Sequence, residues 1–405
     1  MRTPYYGWVV VLACFLGSFV VFGLSYSFGV FFEEMLAEFE QSRGVTSIAF
    51  GIQTLSLYIG ASVIGVFVDR YGTRKMLLVG MVLLCSGLVL TSLATSLVVL
   101  VLAYGVVTGL GLSVVYIVSY ATVPRWFDRR QGFAAGVASS GLGAGMLVVA
   151  PSSAWLIAVI GWRDAFLALA ACTAVVLVAV LALIRDDPDA AGVSPPDSEF
   201  EQAEYSVTRQ GWRRQLDAVR RTARSPSFIM FFLGWVFIYT TLYVLFAHLV
   251  VHVTDMGYSR SVGAMALSII GLTTALGRVG IGYLGDFTGR VRMFVACSIV
   301  IGLSTALLPL ATTSTAIFVF AAVYGLAYGG NGAFLAPATA DLFGRENLNA
   351  LFGLISMSFA VSGLLTPSLA GAGYDFLGAY DLVFVAAGLA ALVGAGCVEA
   401  ASRLQ

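Results

Sequence analysis

Arg278 sits inside a long apolar run, where a guanidinium is the group best placed to do chemistry in this chain. If that run crosses a bilayer, a fixed charge there costs about 2.5–3.5 kcal/mol, so it persists only beside a partner or a wet cavity. The aspartates and glutamates all fall in loops or near the ends of apolar runs, so no permanent carboxylate lies deep enough to pair with it. An arriving carboxylate fits the vacancy. The guanidinium presents parallel N–H donors that match two carboxylate oxygens in a charge-assisted pair. Two other fates stay open: bonds to backbone carbonyls, or reaching the inner surface, because Asp286 is only about 12 Å further along the axis.

Counting inward along neighbouring runs brings Tyr116, Tyr328, Asn331 and Phe334 to a similar depth. Tyr116 and Asn331 can donate to a carboxylate or a 2-hydroxyl, and Phe334 can wall an alkyl group. The alternative for any of these rings is helix packing, because depth does not fix the face. His248 and His252 are the only two histidines, four apart and so on one helix face. No Glu lies between them and no third ligand is apparent, so no metal is expected. His248 lies at the depth of Tyr26. Because histidine titrates near neutrality, it is the better candidate for a proton relay, with a hydrogen-bonded packing role as the alternative. Gly141-Leu-Gly143-Ala-Gly145 looks like a phosphate loop but lies in an apolar run with no Lys-Ser/Thr after it. It reads as a close-packing segment near Pro151. With no nucleophile–base set and no nucleotide motif, neither an enzyme nor a cofactor is indicated.

These residues need helices that cross lipid to position them. Hydrophobic residues make up 59% of the 405 and charged residues only 11%, against about 25% charged in soluble domains. A mean hydropathy of +0.92 agrees. A spanning helix needs about 20 apolar residues. Twelve runs qualify: 8–32, 46–68, 76–96, 98–123, 133–159, 163–184, 228–253, 261–285, 293–312, 315–340, 349–373 and 381–400. The first is longer than a signal-peptide core and reads as a permanent helix. Lys and Arg balance Asp and Glu at 22 each, so net charge suggests no nucleic-acid partner. The five cysteines lie far apart in apolar runs and read as buried thiols.

Most basic residues fall in alternate loops, and the other side holds only Arg43, Arg163 and Arg260. By the positive-inside rule both termini are cytoplasmic, in a cell inner (plasma) membrane. Residues 1–184 and 227–405 form two six-span units joined by 185–226. Within that linker Trp212, Leu216 and Val219 recur at helical spacing among arginines. They predict an amphipathic helix on the inner membrane face, or a solvated tether.

The units echo each other. Gly65-Val-Phe-Val-Asp69-Arg70-Tyr-Gly72-Thr-Arg74-Lys75 corresponds to Gly282-Tyr-Leu-Gly-Asp286-Phe-Thr-Gly289-Arg290, Tyr104-Gly105 to Tyr324-Gly325, and Pro151 to Pro367. Parallel half-repeats with a midplane site between them are a transporter architecture.

The loop pattern resembles the signature of the major facilitator superfamily. Gly7-Trp8-Val9-Val10 and Trp126-Phe127-Asp128-Arg129-Arg130-Gln131-Gly132-Phe133-Ala134-Ala135-Gly136 resemble the two motifs of its monocarboxylate transporter family, and Arg278 stands where that family has a span-eight arginine. The resemblance covers nearly the whole chain outside the linker. It implies an all-α membrane protein of two pseudo-symmetric six-helix bundles, with Asp69, Arg70, Arg74, Asp286 and Arg290 as gating residues. It also implies a substrate site built on Arg278. The chain departs from the animal members in three places: Pro4, Tyr5 and Tyr6 replace an acidic residue before the first motif, Thr274 replaces a span-eight aspartate, and Tyr26 aligns with a span-one lysine.

The expected function is secondary transport of small monocarboxylates of the lactate or pyruvate type, by alternating access with proton symport. The chain is expected to act as a monomer in the bilayer. Tyr26, Tyr116, Tyr328, Asn331 and Phe334 would support Arg278, and His248 would serve the proton. An oxalate–formate-like anion antiporter ranks below it, since a dicarboxylate wants a second deep cation. A non-transporting receptor for organic acids ranks lower again, since it needs no duplicated gates.

Overall fold

Lipid offers no partner to a peptide group, so each apolar run must close its own hydrogen bonds as a helix. The computed structural model describes residues 5–127, 131–186, 219–344 and 348–404, and among them all regular structure is helical. Eleven helices are long and apolar enough to cross a membrane. One of them, Ala134–Leu183, holds two crossings, because Gly161 breaks it at φ 79°, ψ 163°, a conformation side chains rarely adopt. The twelve spans of the sequence are therefore present. Span one is Gly7–Phe39, span two Arg43–Gly65, span three Thr73–Ser92 and span four Leu97–Ala121, with spans five and six on either side of Gly161. Span seven is Pro226–Asp255, span eight Arg260–Gly285, span nine Arg290–Leu310, span ten Ser314–Ala333, span eleven Gly353–Leu377 and span twelve Asp381–Arg403.

Several spans differ from the plain runs in the sequence. Span one continues to Phe39 after a bend at Ser27, whose hydroxyl donates to the Gly23 carbonyl at 2.6 Å. Span ten was expected to run to 340 but stops at Ala333, and the helix resumes as Leu335–Phe343. Pro337 has no N–H to offer the Ala333 carbonyl, which favours a break there. Span four winds as a π-helix over Val101–Thr108, where the Thr108 hydroxyl donates to the Ala103 carbonyl.

The internal echo has structural counterparts. Gly72 and Gly289 end spans two and eight with φ of 87° and 95°, the left-handed turn that favours glycine. Pro151 and Pro367 both sit inside helices, and Tyr104 and Tyr324 are both buried.

Close packing comes from small residues. Gly141 and Gly145 lie against the backbone of span one at Phe15 and Phe19, and Gly143 lies against Gly271 of span eight. The glycine cluster is thus a packing seam. The two short motifs pack on each other: Trp8 meets Phe127 edge-on at 5.1 Å, and the Tyr5 hydroxyl donates to the Trp126 carbonyl at 2.8 Å. Tyr6 donates to the Leu183 carbonyl, which ties the start of span one to the end of span six.

Most of the linker, including Trp212, Arg213, Arg214 and Leu216, lies outside the described residues, and Val219 packs against the core. The cysteines are free thiols. Cys14 and Cys297 are buried as expected, but Cys85 and Cys397 are only half-buried and Cys172 is exposed.

Candidate functional site

A cavity of about 570 Å³ separates the two halves. Spans one, two, four and five wall one side of it, and spans seven, eight, ten and eleven the other. Its lining reaches Ala135, Gly136, Arg290 and Pro337, toward the end of the molecule that carries the chain termini.

Arg278 projects into this cavity, while its neighbour Val279 is 73% exposed on the outer surface. Span eight thus turns the charge inward and an aliphatic side chain toward lipid. The crossing of spans eight and ten fixes that rotation: Gly277 packs on the Leu326 carbonyl, and Gly329 packs on Thr274 and the Arg278 backbone. Gly332 leaves room for the guanidinium, since a Cβ there would stand 3.1 Å from Nη2 and 3.4 Å from Cζ. The Nε of Arg278 is buried and has no hydrogen-bond partner. Among the described residues Arg278 makes no ion pair and no bond to a backbone carbonyl. The guanidinium is hydrogen-bonded to the Tyr120 side chain, and with no carboxylate beside it among the described residues, a carboxylate in the cavity would give it a charge-assisted partner.

Aromatic rings encircle the space around the guanidinium. Phe22 meets Tyr116 edge-on at 6.1 Å, and Tyr116 meets Tyr58 at 5.8 Å. Tyr58 then crosses between halves to stack on Phe359 at 5.1 Å, and Phe359 contacts Tyr239 at 4.4 Å. Tyr239 meets Tyr328 at 6.4 Å, and Tyr328 faces Tyr26 back in the first half. Tyr26 closes the girdle on Phe22 at 5.3 Å. Tyr116, Tyr120, Tyr239 and Tyr328 all lie within electrostatic reach of Arg278.

Of the residues named from sequence, Arg278, Tyr26, Tyr116, Tyr328 and Phe334 line the cavity together. The Phe334 ring is seated on Gly285. Asn331 does not line it. Its side chain is fully buried behind Tyr239, accepting that hydroxyl at 2.6 Å and donating to Ser298 at 2.8 Å. Helical depth placed it correctly, but its face points into the bundle. Tyr58, Tyr120, Tyr239, Phe22 and Phe359 were not singled out from the sequence, where nothing but tyrosine abundance marks them.

His248 also lies off the cavity, at the seam between halves. Its Nε2 approaches the Pro367 carbonyl at 2.8 Å and Ser47 at 3.4 Å, and its Nδ1 approaches the Tyr380 hydroxyl at 2.9 Å. A carbonyl only accepts, so Nε2 carries the hydrogen and Nδ1 accepts from Tyr380. Burial pushes the Tyr380 phenol above its ordinary value, which keeps it a donor.

Among the described residues, the hydrogen bonds and ion pairs that join the halves gather at this end, opposite the termini. Arg43 forms a bidentate pair with Asp255 at 2.6 and 2.8 Å and lies over the Tyr374 ring at 3.7 Å. Asp375 accepts the backbone N–H groups of Arg43 and Gly44 at 3.0 and 2.9 Å. Arg260 reaches Glu33 and Glu34 at 3.2 and 2.7 Å. Two of the three basic residues on this side of the chain therefore latch the halves together. The expected gating residues lie at the other end. Arg70 stands over the ring of its neighbour Tyr71, and Arg290 pairs with Asp341 at 3.6 Å within its own half. Arg74 is exposed, and the side chains of Asp69 and Asp286 lie outside what is described.

A sequence model of the Major Facilitator Superfamily matches residues 14–280 and 249–401. Monocarboxylate transporter 13 of Rattus norvegicus is 31% identical over 397 residues, covering 96% of this chain and 88% of that protein. The chain belongs to the major facilitator superfamily, in its monocarboxylate transporter-like family. Monocarboxylate transporter 2 of Homo sapiens is 27% identical over 400 residues, covering 95% of this chain and 82% of that protein. Among solved structures, a bacterial homolog of the human lysosomal transporter Spinster, in an inward-facing and unoccupied conformation, superposes with a TM-score of 0.77 at 16% identity, covering 100% and 98% of the two chains. A D-xylose–proton symporter superposes with a TM-score of 0.77 at 12% identity over 97% of each. This superfamily transporter is therefore a multi-pass membrane protein with the twelve-helix fold of its relatives, and it is not an enzyme.

Proposed function

We propose that this transporter carries small monocarboxylates by alternating access, with the substrate carboxylate held by Arg278 in the central cavity. The observation that carries the reading is that Arg278 lines the cavity with no ion-pair partner among the described residues, none of which contributes a carboxylate to that cavity. The names of the relatives agree with that substrate class. An arginine–carboxylate pair is neutral, which lowers the cost of closing helices over the loaded site. Arg290 also borders the cavity, but Asp341 stands beside it. A second substrate carboxylate therefore gains little, which favours a monoanion over an oxalate-like dianion.

The proton travels on His248 or on the substrate itself. His248 holds the seam at the end opposite the termini through Ser47, Pro367 and Tyr380. A change in its protonation would therefore act on the gate rather than on the anion. With the termini cytoplasmic in a cell inner membrane, the seam faces outward and the cavity reaches the cytoplasmic side.

The test is uptake of labelled lactate by the purified chain in liposomes under an inward proton gradient. Accumulation that disappears in Arg278→Gln and weakens in His248→Gln is the expected result. Equal accumulation by Arg278→Gln would overturn the assignment. Rapid counterflow with preloaded oxalate in the absence of a proton gradient would favour the antiporter.

A further inference from the structure

The geometry points to an arylalkyl monocarboxylate, a 2-hydroxy or 2-oxo acid bearing an aromatic ring, as the substrate class of this cavity. The inference rests on the reading that Arg278 binds a carboxylate. It concerns what the rest of the substrate must be.

The size of the space comes first. A cavity of about 570 Å³ falls in the range that encloses drug-sized ligands. A three-carbon acid bound at Arg278 would leave most of that volume to water. Among the described lining residues nine are aromatic, so ring faces make up much of the wall, and six of them are tyrosines whose hydroxyls add polar points beside Arg278 and Arg290. The rings are not simply packed into one another. They meet at 4.4 to 6.4 Å between centroids, Tyr58 and Phe359 face to face and the others tilted or edge-on, around the cavity. Such a girdle presents π faces and ring edges inward, the surfaces that pair with another aromatic ring.

The polar groups of the girdle are placed for the acid end. Tyr116, Tyr120, Tyr239 and Tyr328 cluster around Arg278, whereas Phe22, Tyr58 and Phe359 form the wall that continues across both halves. A ligand with a charged end and an apolar planar end matches that division. The Tyr58–Phe359 stack also spans the interface between halves, at 5.1 Å and 15° between planes. A substrate ring lying on it would touch both halves at once, and its bulk would bear directly on the contact that must rearrange during transport.

The experiment compares labelled 3-phenyllactate with lactate in the same liposomes, under the same inward proton gradient, as initial rates over a range of concentrations. Burying a phenyl group is expected to raise kcat/KM by roughly 30-fold over lactate. The amide of 3-phenyllactate should not compete, and 3-cyclohexyllactate should fall about fivefold behind the aromatic acid. Phe359→Leu and Tyr58→Leu, checked by thermal melting to be folded, should narrow the phenyllactate-to-lactate ratio to a few-fold. Lactate carried as well as phenyllactate, in an Arg278-dependent manner, would overturn this inference and leave the monocarboxylate reading standing. Cyclohexyllactate equal to phenyllactate would overturn the aromatic part. Uptake of neither acid would overturn both readings together.

Discussion

Under the proposed function, the stability cost of Arg278 has a reason. A buried Nε without an acceptor and a charge without a counter-ion destabilise the empty protein, so Arg278→Gln is expected to leave thermal stability unchanged or slightly raised while transport is lost. Arg278→Lys keeps the charge but gives up the planar fork, and kcat/KM for a carboxylate should drop by about tenfold or more. A combined loss of melting temperature and transport in both variants would instead make the guanidinium a structural group. Asn331 behaves oppositely. It receives the Tyr239 hydroxyl and donates to Ser298 while fully buried. Asn331→Leu leaves the Tyr239 hydroxyl without its acceptor, while Ser298 keeps its bond to the Phe294 carbonyl, and should cost about 1–3 kcal/mol of stability, read as a lower melting temperature. Its effect on transport should come through Tyr239, as a raised KM that Tyr239→Phe reproduces.

At the scale of elements, the site depends on how spans eight and ten cross. Two glycines on span ten separate binding from folding. At Gly332 the nearest atoms to an added Cβ all belong to the Arg278 guanidinium, a movable group. At Gly329 an added Cβ would meet the Thr274 carbonyl and stand 2.9 Å from the Arg278 backbone nitrogen, neither of which can move without parting the helices. Gly332→Val is therefore expected to fold normally and raise KM about tenfold by displacing the guanidinium. Gly329→Val should fail to fold or melt far lower. Identical behaviour of the two variants, in melting and in uptake, would contradict this division. The same geometry explains what was legible in the sequence. Apolar runs about 20 residues long give the spans, because lipid thickness sets their length. Arg278 was legible because a charge in such a run is rare and has few reasons to be there. Helix rotation was not legible. Asn331 and Phe334 share a depth, yet one faces the bundle and the other the cavity, and glycine contacts between different helices decide which. Tyr58 and Phe359 come from opposite halves and meet only in the folded molecule, so no local pattern announced them.

For the whole molecule, the decisive arrangement is the asymmetry between its two ends. Among the described residues, the latch of Arg43, Asp255 and Asp375 joins the halves at one end, and the Arg290–Asp341 pair at the other lies within a single half. The proposed alternating access requires that the latch be breakable, and its energetics suit that role. The Arg43–Asp255 pair is only partly buried, with side-chain exposures of 15% and 31%, so it contributes about 1 kcal/mol rather than the larger value of a buried pair. Removing it should shift the equilibrium between closed and open states roughly fivefold toward opening. Spin labels placed at Gln41→Cys and Ser259→Cys, with the native thiols replaced, report the separation of the halves at that end. Asp255→Asn should add a longer-distance population, and Asp375→Asn in combination should enlarge it. Exchanging the pair, as Arg43→Asp with Asp255→Arg, should restore closure only in part, because Asp375 then faces a like charge at position 43. Distances that stay the same in all these variants would show that packing of the helices, rather than the ion pairs, sets which end is shut.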